Sequence, residues 1–133
     1  MHLEAIAEKC TGCRICENFC SVKHEGAIWP ERARIRILAE TDSGPFTPNV
    51  CRQCEDAACA AACPVEAITK DQSTGAWVVN DDECIGCENC VEACPYHAMF
   101  FDAESGKAFK CDLCGGEPEC VAICPFGAVQ KVP

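Results

Sequence analysis

Residues 84–95 read CIGCENCVEACP, placing cysteines at 84, 87, 90 and 94 and a proline at 95. Three thiols recur at every third residue, and the fourth stands directly before a residue that turns the chain. The arrangement returns, with variations, at Cys10, Cys13, Cys16 and Cys20, at Cys51, Cys54, Cys59 and Cys63, and at Cys111, Cys114, Cys120 and Cys124. The middle gap widens to four residues in the second run and to five in the fourth. Pro64 and Pro125 follow the second and fourth runs, whereas Ser21 follows the first. The four runs use all sixteen cysteines of the 133-residue chain, so internal repetition organises it.

Disulfides, zinc and iron–sulfur clusters compete to explain so many thiols. Disulfides require an oxidising compartment. The N-terminal MHLEAIAEKCTGC has no basic stretch followed by an apolar run, so no secretory signal is visible, although a partner's signal would serve both chains. Paired C-x2-C elements also build four-thiolate zinc sites. Zinc, however, gives no reason for a regular fourth cysteine or for the proline behind it.

A cubane [4Fe–4S] cluster does give a reason. Its four iron corners each take one thiolate, and three cysteines spaced by two residues wrap three corners while backbone N–H groups face the sulfurs. Gly12 and Gly86 relieve the steric limits of that tight loop. The fourth cysteine lies beyond the wrap and is placed for a neighbouring cluster. The expectation is four [4Fe–4S] clusters ligated by the sixteen cysteines.

Leu, Ile, Val and Phe together number 26 of 133 residues, a thin supply for a packed core. Small chains with thin cores need staples, and a chain stapled by metal is expected to be largely unfolded without it. The net charge of −10 argues against nucleic acid or an anionic membrane as the main partner. No apolar stretch approaches the length of a membrane span, and a cytoplasmic chain is expected.

The segments between runs fit hairpins. VEAIT, KDQSTG and AWVVN give strand, turn and strand before the third run, and YHAMFF, DAESG and KAFK do so before the fourth. LEAIA near the start and AVQKV near the end fit an antiparallel pair. With a one-turn helix near each fourth cysteine, the expected class is α+β with little regular structure. RARIRIL alternates Arg32, Arg34 and Arg36 with Ala33, Ile35 and Ile37, as in a strand with one basic and one buried face. That basic face suits either docking to an acidic patch or the balancing of local acids such as Glu31 and Glu40. Tyr96 is expected to cover a cluster and Trp77 to pack within a strand, with His24 and His97 in surface or packing roles. Asp81 and Asp82 read as solvated loop residues. No phosphate loop, nucleophile–base pair or pterin-binding stretch stands out, so no substrate site of the chain's own is expected.

VVNDDECIGCENCVEACPYHAMFF, residues 78–101, closely resembles half of a bacterial two-cluster ferredoxin. Across essentially its whole length, the chain resembles the four-cluster electron-transfer subunits of molybdenum or tungsten pterin oxidoreductases. That family includes partners of formate dehydrogenases, dimethyl sulfoxide reductases and tungsten aldehyde oxidoreductases. The resemblance implies an outer ferredoxin-like unit of residues 1–46 with 107–133, and an inner unit of residues 47–106. It also implies nested pairing of the runs. Cys10, Cys13 and Cys16 would then share a cluster with Cys124, and Cys111, Cys114 and Cys120 with Cys20. Likewise Cys51, Cys54 and Cys59 would take Cys94, and Cys84, Cys87 and Cys90 would take Cys63. Spacing alone leaves sequential pairing open.

The function so implied is a wire of four clusters to or from a catalytic molybdenum or tungsten subunit. Further copies of the chain, or a flavin or NAD subunit, are additional partners. A free polyferredoxin shuttle, or a partner of hydrogenase or carbon monoxide dehydrogenase, is the alternative; a zinc-stabilised interaction module is more remote. Two departures from the family stand out. Ser21 replaces proline before the long segment 21–50, and the chain is short, which favours a compact wire over a membrane-docked form.

Overall fold

In the computed structural model, which describes residues 2–132, every cysteine run passes through a helix into a strand. Helices α2 (Ala58–Ala62), α3 (Asn89–Ala93) and α4 (Glu119–Ile123) each end at the residue before the fourth cysteine of their run. Helix α1 (Ile15–Glu25) instead continues past Cys20. Strand β1 (His2–Ala5) precedes the first run. Three hairpins lie between runs: β2 (Ile35–Ala39) with β3 (Phe46–Val50), β4 (Ile68–Lys70) with β5 (Trp77–Val79), and β6 (Met99–Asp102) with β7 (Lys107–Lys110). Strand β8 (Val129–Val132) returns antiparallel to β1, with Leu3 opposite Lys131. The class is α+β, built from short hairpins and short helices with little regular structure.

Local chemistry accounts for the hairpin tips. Gly75 N–H closes onto the Asp71 carbonyl at 2.7 Å, and the Asp71 carboxylate accepts from the Ser73 N–H at 2.8 Å. Gly106 and Asp102 repeat the closure at 2.8 Å, with the Asp102 carboxylate accepting from Glu104 N–H at 3.1 Å. Aspartate and glycine at these positions are turn formers for those two reasons. The β2–β3 hairpin was half legible: RARIRIL signalled a strand, but its partner FTPNV carries Pro48 and lacks alternation.

Cysteines are part of the core. One buried cluster joins Leu3, Ala33, Ile35, Ile37, Val50, Leu113 and Val129 to Cys16, Cys20, Cys111 and Cys120. A second joins Ile68, Met99 and Ala108 to Cys59 and Cys90. Helix α1 packs on α4, and α2 packs on α3.

The missing proline after Cys20 has a structural reason. Ser21 lies inside α1 and is fully buried, where its Oγ donates to the Asn18 carbonyl at 2.8 Å and accepts from Trp29 N–H at 3.0 Å. A proline here would remove a helical hydrogen bond. The helix stops at Gly26, whose φ of 75° is the left-handed stop that glycine adopts freely. The chain then turns through residues 30–32 and returns to Cys20 at the start of β2.

The three arginines are committed within the chain. Arg32 pairs with Asp102 at 3.0 Å, Glu104 at 3.1 Å and Glu25 at 3.7 Å, and stacks on Trp29 at 4.2 Å. Arg34 donates to the Lys110 carbonyl at 2.9 Å and lies 3.7 Å from Asp112. Arg36 donates to the Ala33 and Glu31 carbonyls and stacks on Phe100 at 4.2 Å. The strand begins only at Ile35, so Arg32 belongs to the turn before it. The acids balanced are Glu25, Asp102, Glu104 and Asp112, which tie the 30–36 segment to the β6–β7 hairpin and the fourth run. Replacing Arg32, Arg34 and Arg36 together with Gln is expected to destabilise the chain by about 2 kcal/mol, the sum of partly exposed ion pairs and cation–π contacts. Thermal unfolding of the loaded protein measures this; an unchanged midpoint would return these side chains to the role of a free surface.

Candidate metal centres

Each run wraps its sulfurs with the same backbone device. The residue two after the first cysteine is left-handed in all four runs: Gly12 at φ 76°, Gln53 at 49°, Gly86 at 75° and Leu113 at 60°. Main-chain N–H groups then turn toward sulfur, as Gln53 N–H does to Cys51 Sγ and Leu113 N–H to Cys111 Sγ, both at 3.4 Å. Glycine suits two of the positions. Gln53 is held in the strained region by its side chain, whose Nε2 donates to the Cys111 carbonyl at 2.9 Å while Oε1 accepts from Trp77 N–H at 2.8 Å.

A second device serves the fourth cysteines. After Cys63, Cys94 and Cys124 the chain turns through proline and a left-handed residue (Glu66, His97 or Gly127). The next N–H, from Ala67, Ala98 or Ala128, donates back to that cysteine's Sγ at 3.2, 3.4 and 3.4 Å. The three alanines are 1–2 % exposed, and each precedes a strand. The sequence carried this signal as CPVEA, CPYHA and CPFGA, a C-P-x-x-A repeat that the reading of the runs passed over. In the first run Arg34, fourteen residues on, supplies the equivalent N–H to Cys20 Sγ at 3.2 Å, again just before a strand.

The sulfurs gather in four groups. Cys10, Cys13, Cys16 and Cys124 line one cavity. Cys63, Cys84, Cys87 and Cys90 line another, and Cys51, Cys54, Cys59 and Cys94 a third. Around Cys120, the thiols that act on it are Cys111, Cys20 and Cys114, and then Cys16 of the first group. The groups also lie in series: Cys16 shares a buried cluster with Cys20, Cys111 and Cys120, Cys51 packs against that cluster, and Cys59 and Cys90 share the second. Only Cys13 and Cys87, in the two end groups of this series, are exposed cysteines. A groove between β1 and residues 48–55 is open to solvent and meets one cysteine, Cys54, so the four-thiol groups define the site.

Thiol chemistry shows that these groups fit a cluster. All sixteen cysteines are free of disulfides. Burial pushes Cys16 and Cys111 up to about 12 and Cys90 up to about 11, and raises Cys59, Cys114 and Cys120 as well. Thiols so displaced ionise at neutral pH only when a cation meets them, and iron is such a cation. Against the penalty of burial, N–H groups of Ala128, Phe126, Gly127 and Val129 hold Cys124 below the ordinary thiol value.

The remaining residues are accounted for. Tyr96 covers the Cys51–Cys94 cavity under the Arg52 guanidinium, 4.1 Å from its ring centre. Trp77 lies in β5, where its Nε1 donates to the Cys54 carbonyl at 2.8 Å. His24 bridges the Cys20 carbonyl (3.0 Å) and Asp112 Oδ1 (3.1 Å). Its hydrogen bond to Asp112, followed by its contact with Cys20 Sγ at 3.9 Å, raises His24 to about 9, while the bond to His24 lowers Asp112 to about 2. Asp81 and Asp82 are exposed. Gln53, Asp112 and the buried Lys110 touch the site without any sequence reading having named them. No helix among the described residues is long and apolar enough to cross a membrane.

The comparisons agree with this geometry. A 4Fe-4S dicluster domain matches residues 43–132, and a 4Fe-4S binding domain matches residues 7–23. The chain belongs to the 4Fe-4S dicluster family; it is an iron–sulfur electron-transfer protein that carries multiple [4Fe–4S] clusters. It is 50% identical over 117 residues to the polyferredoxin-like subunit of an aliphatic sulfonate oxidoreductase of Pyrococcus furiosus, covering 88% of this chain and 67% of that one. The electron transport protein HydN of Escherichia coli is 40% identical over 148 residues, covering 94% of this chain and 83% of that one. Among solved structures, a chain of the BamBC active site complex of benzoyl coenzyme A reductase matches with a TM-score of 0.56 and 28% identity, covering 96% of this chain and 76% of that one.

Two substitutions probe the site. At Gly86 an added Cβ would meet the Gly106 carbonyl oxygen, whereas at Gly26, with the same φ of 75°, it would meet nothing within 4 Å. Gly26→Ala is expected to cost about 1 kcal/mol from left-handed strain, and Gly86→Ala about 2 kcal/mol or more, as read by thermal unfolding. Cys94→Ser is expected to alter the cluster signal of the Cys51, Cys54 and Cys59 group in paramagnetic spectra. Loss confined to the Cys84, Cys87 and Cys90 group would refute the crossed arrangement.

Proposed function

We propose that the chain is the electron-transfer subunit of an oxidoreductase complex and carries four [4Fe–4S] clusters as a wire to a catalytic subunit. In this reading the ligand sets are crossed. The first is Cys10, Cys13, Cys16 and Cys124, the second Cys111, Cys114, Cys120 and Cys20, the third Cys51, Cys54, Cys59 and Cys94, and the fourth Cys84, Cys87, Cys90 and Cys63. They divide between an outer unit, 1–46 with 107–133, and an inner unit, 47–106; Met1 and Pro133 lie outside the described residues. The grouping of thiols, with α1 against α4 and α2 against α3, supports this assignment.

One observation carries the reading: the thiol groups form a series whose two ends alone present an exposed cysteine, Cys13 and Cys87. A conductor needs access at its ends and a dry path between them. When bound, the clusters supply one-electron storage without bond making at a substrate. The chain's own work is to hold the thiolates and direct N–H groups at the sulfurs. The net charge of −10 disfavours each added electron and so lowers the potentials.

The catalytic partner is of the molybdenum or tungsten pterin class, as the family resemblance implies. The sulfonate oxidoreductase subunit and the benzoyl coenzyme A reductase complex support a partner of the broader oxidoreductase kind. On this reading the chain has no substrate site of its own and works in the cytoplasm, where reduced thiols persist. A free shuttle is the second reading, favoured by a relative named simply as an electron transport protein.

Anaerobically prepared protein is expected to hold about sixteen iron and about sixteen sulfide per chain, four cubanes by ligand count. Half that iron after full reconstitution, or stoichiometric zinc, would contradict the wire. Co-purification from the native source is expected to bring down a pterin-containing subunit; recovery of the chain alone would favour the shuttle.

A further inference from the structure

Lys110 ends β7 directly before Cys111, and its side chain runs inward to the joint between the second and third thiol groups. The residue is 2 % exposed. Its Nζ donates to the Cys111 carbonyl at 2.7 Å, to Gln53 Oε1 at 3.2 Å, and to the Trp77 carbonyl. Three acceptors around one nitrogen match the three N–H groups of an ammonium; a neutral amine would turn its lone pair toward one of those oxygens.

All three acceptors are uncharged. Among the described residues Lys110 forms no ion pair with a carboxylate. A buried charge without a counter-charge is strongly unfavourable, so one is expected nearby. Lys110 lines the same cavity as Cys51, Cys54, Cys59 and Cys94. The anionic cluster those thiolates would hold is the counter-charge. The ammonium also draws the Cys59 and Cys111 thiols downward against the effect of burial.

We propose that Lys110 is a potential-setting residue, whose ammonium, held by Gln53 and the Trp77 and Cys111 carbonyls, raises above all the reduction potential of the cluster at Cys51, Cys54, Cys59 and Cys94. The sign follows from charge: reduction adds one negative charge to the cluster, and a fixed positive charge beside it favours the reduced form. The charge thus holds an electron more tightly at this inner position, one step from the Cys87 end. The inference rests on the four-cluster reading above.

The test is an anaerobic potentiometric titration of the full chain, followed by paramagnetic resonance, after iron and sulfide have been measured. Lys110→Met removes the charge at nearly constant length, Lys110→Gln keeps an N–H donor, and Lys110→Arg keeps the charge. The neutral variants are expected to retain their iron and to show one midpoint moved to a more negative value. The affected signal should be the one that Cys54→Ser perturbs, and Lys110→Arg should bring it back toward the native value. Unchanged midpoints, or an equal displacement of all of them, would overturn the proposal. Loss of clusters from both neutral variants would assign Lys110 to the fold alone and overturn it too. A native protein short of iron would instead undo the four-cluster reading, an outcome seen before any variant is titrated.

Discussion

Buried thiols must meet a cation, and the architecture follows from that need. In a chain of 133 residues with sixteen cysteines, apolar side chains alone do not close a core. Cys16, Cys20, Cys111 and Cys120 sit in the same buried cluster as Ile35, Leu113 and Val129. These sulfurs occupy places that a larger domain gives to leucine. Burial raises their proton affinity, and only a bound cation relieves the conflict between a dry interior and an ionised ligand. Folding and metal binding are therefore one process in such a chain.

Around the sulfurs the backbone does most of the chemistry. A left-handed residue inside each run turns N–H groups toward the thiols, and another after each of the three prolines brings an alanine N–H back to the fourth sulfur. The first run reaches the same end by a different route. Its helix overruns Cys20, the chain makes a detour, and the Arg34 N–H arrives where an alanine N–H stands elsewhere. The sulfur contact persists while the covalent path to it changes, so the contact is what the sequence must satisfy.

The four thiol runs were legible because cysteine spacing is read directly from the sequence. The hairpins after Cys63 and Cys94 were legible because turn residues divide apolar stretches there. FTPNV escaped because Pro48 breaks the alternation that marks a strand. The partners of the arginines escaped because alternation shows which face is buried, while two of the acids that neutralise Arg32, Asp102 and Glu104, lie far along the chain. Lys110 escaped for a similar reason. KAFK reads as an ordinary strand with lysines at its ends, and only the approach of Gln53 and Trp77, distant in sequence, makes an interior of one end. Local pattern predicts what local geometry decides, whereas long-range partners are found only in the fold.

On the crossed ligand sets proposed above, the exchange of sulfurs between runs has a consequence for synthesis. Cysteines leave the ribosome in order, but their groups cannot be completed in that order. The set of Cys63, Cys84, Cys87 and Cys90 is the first to be whole, and Cys94 then completes the set begun at Cys51. Cys20 must wait for Cys120, and Cys10, Cys13 and Cys16 must wait for Cys124. Assembly on a growing chain thus runs from the middle outward, with the earliest thiols matched last. Throughout elongation the first run is the stretch most open to oxidation or to a stray metal, so a cell making this protein has most reason to shield its N-terminal segment.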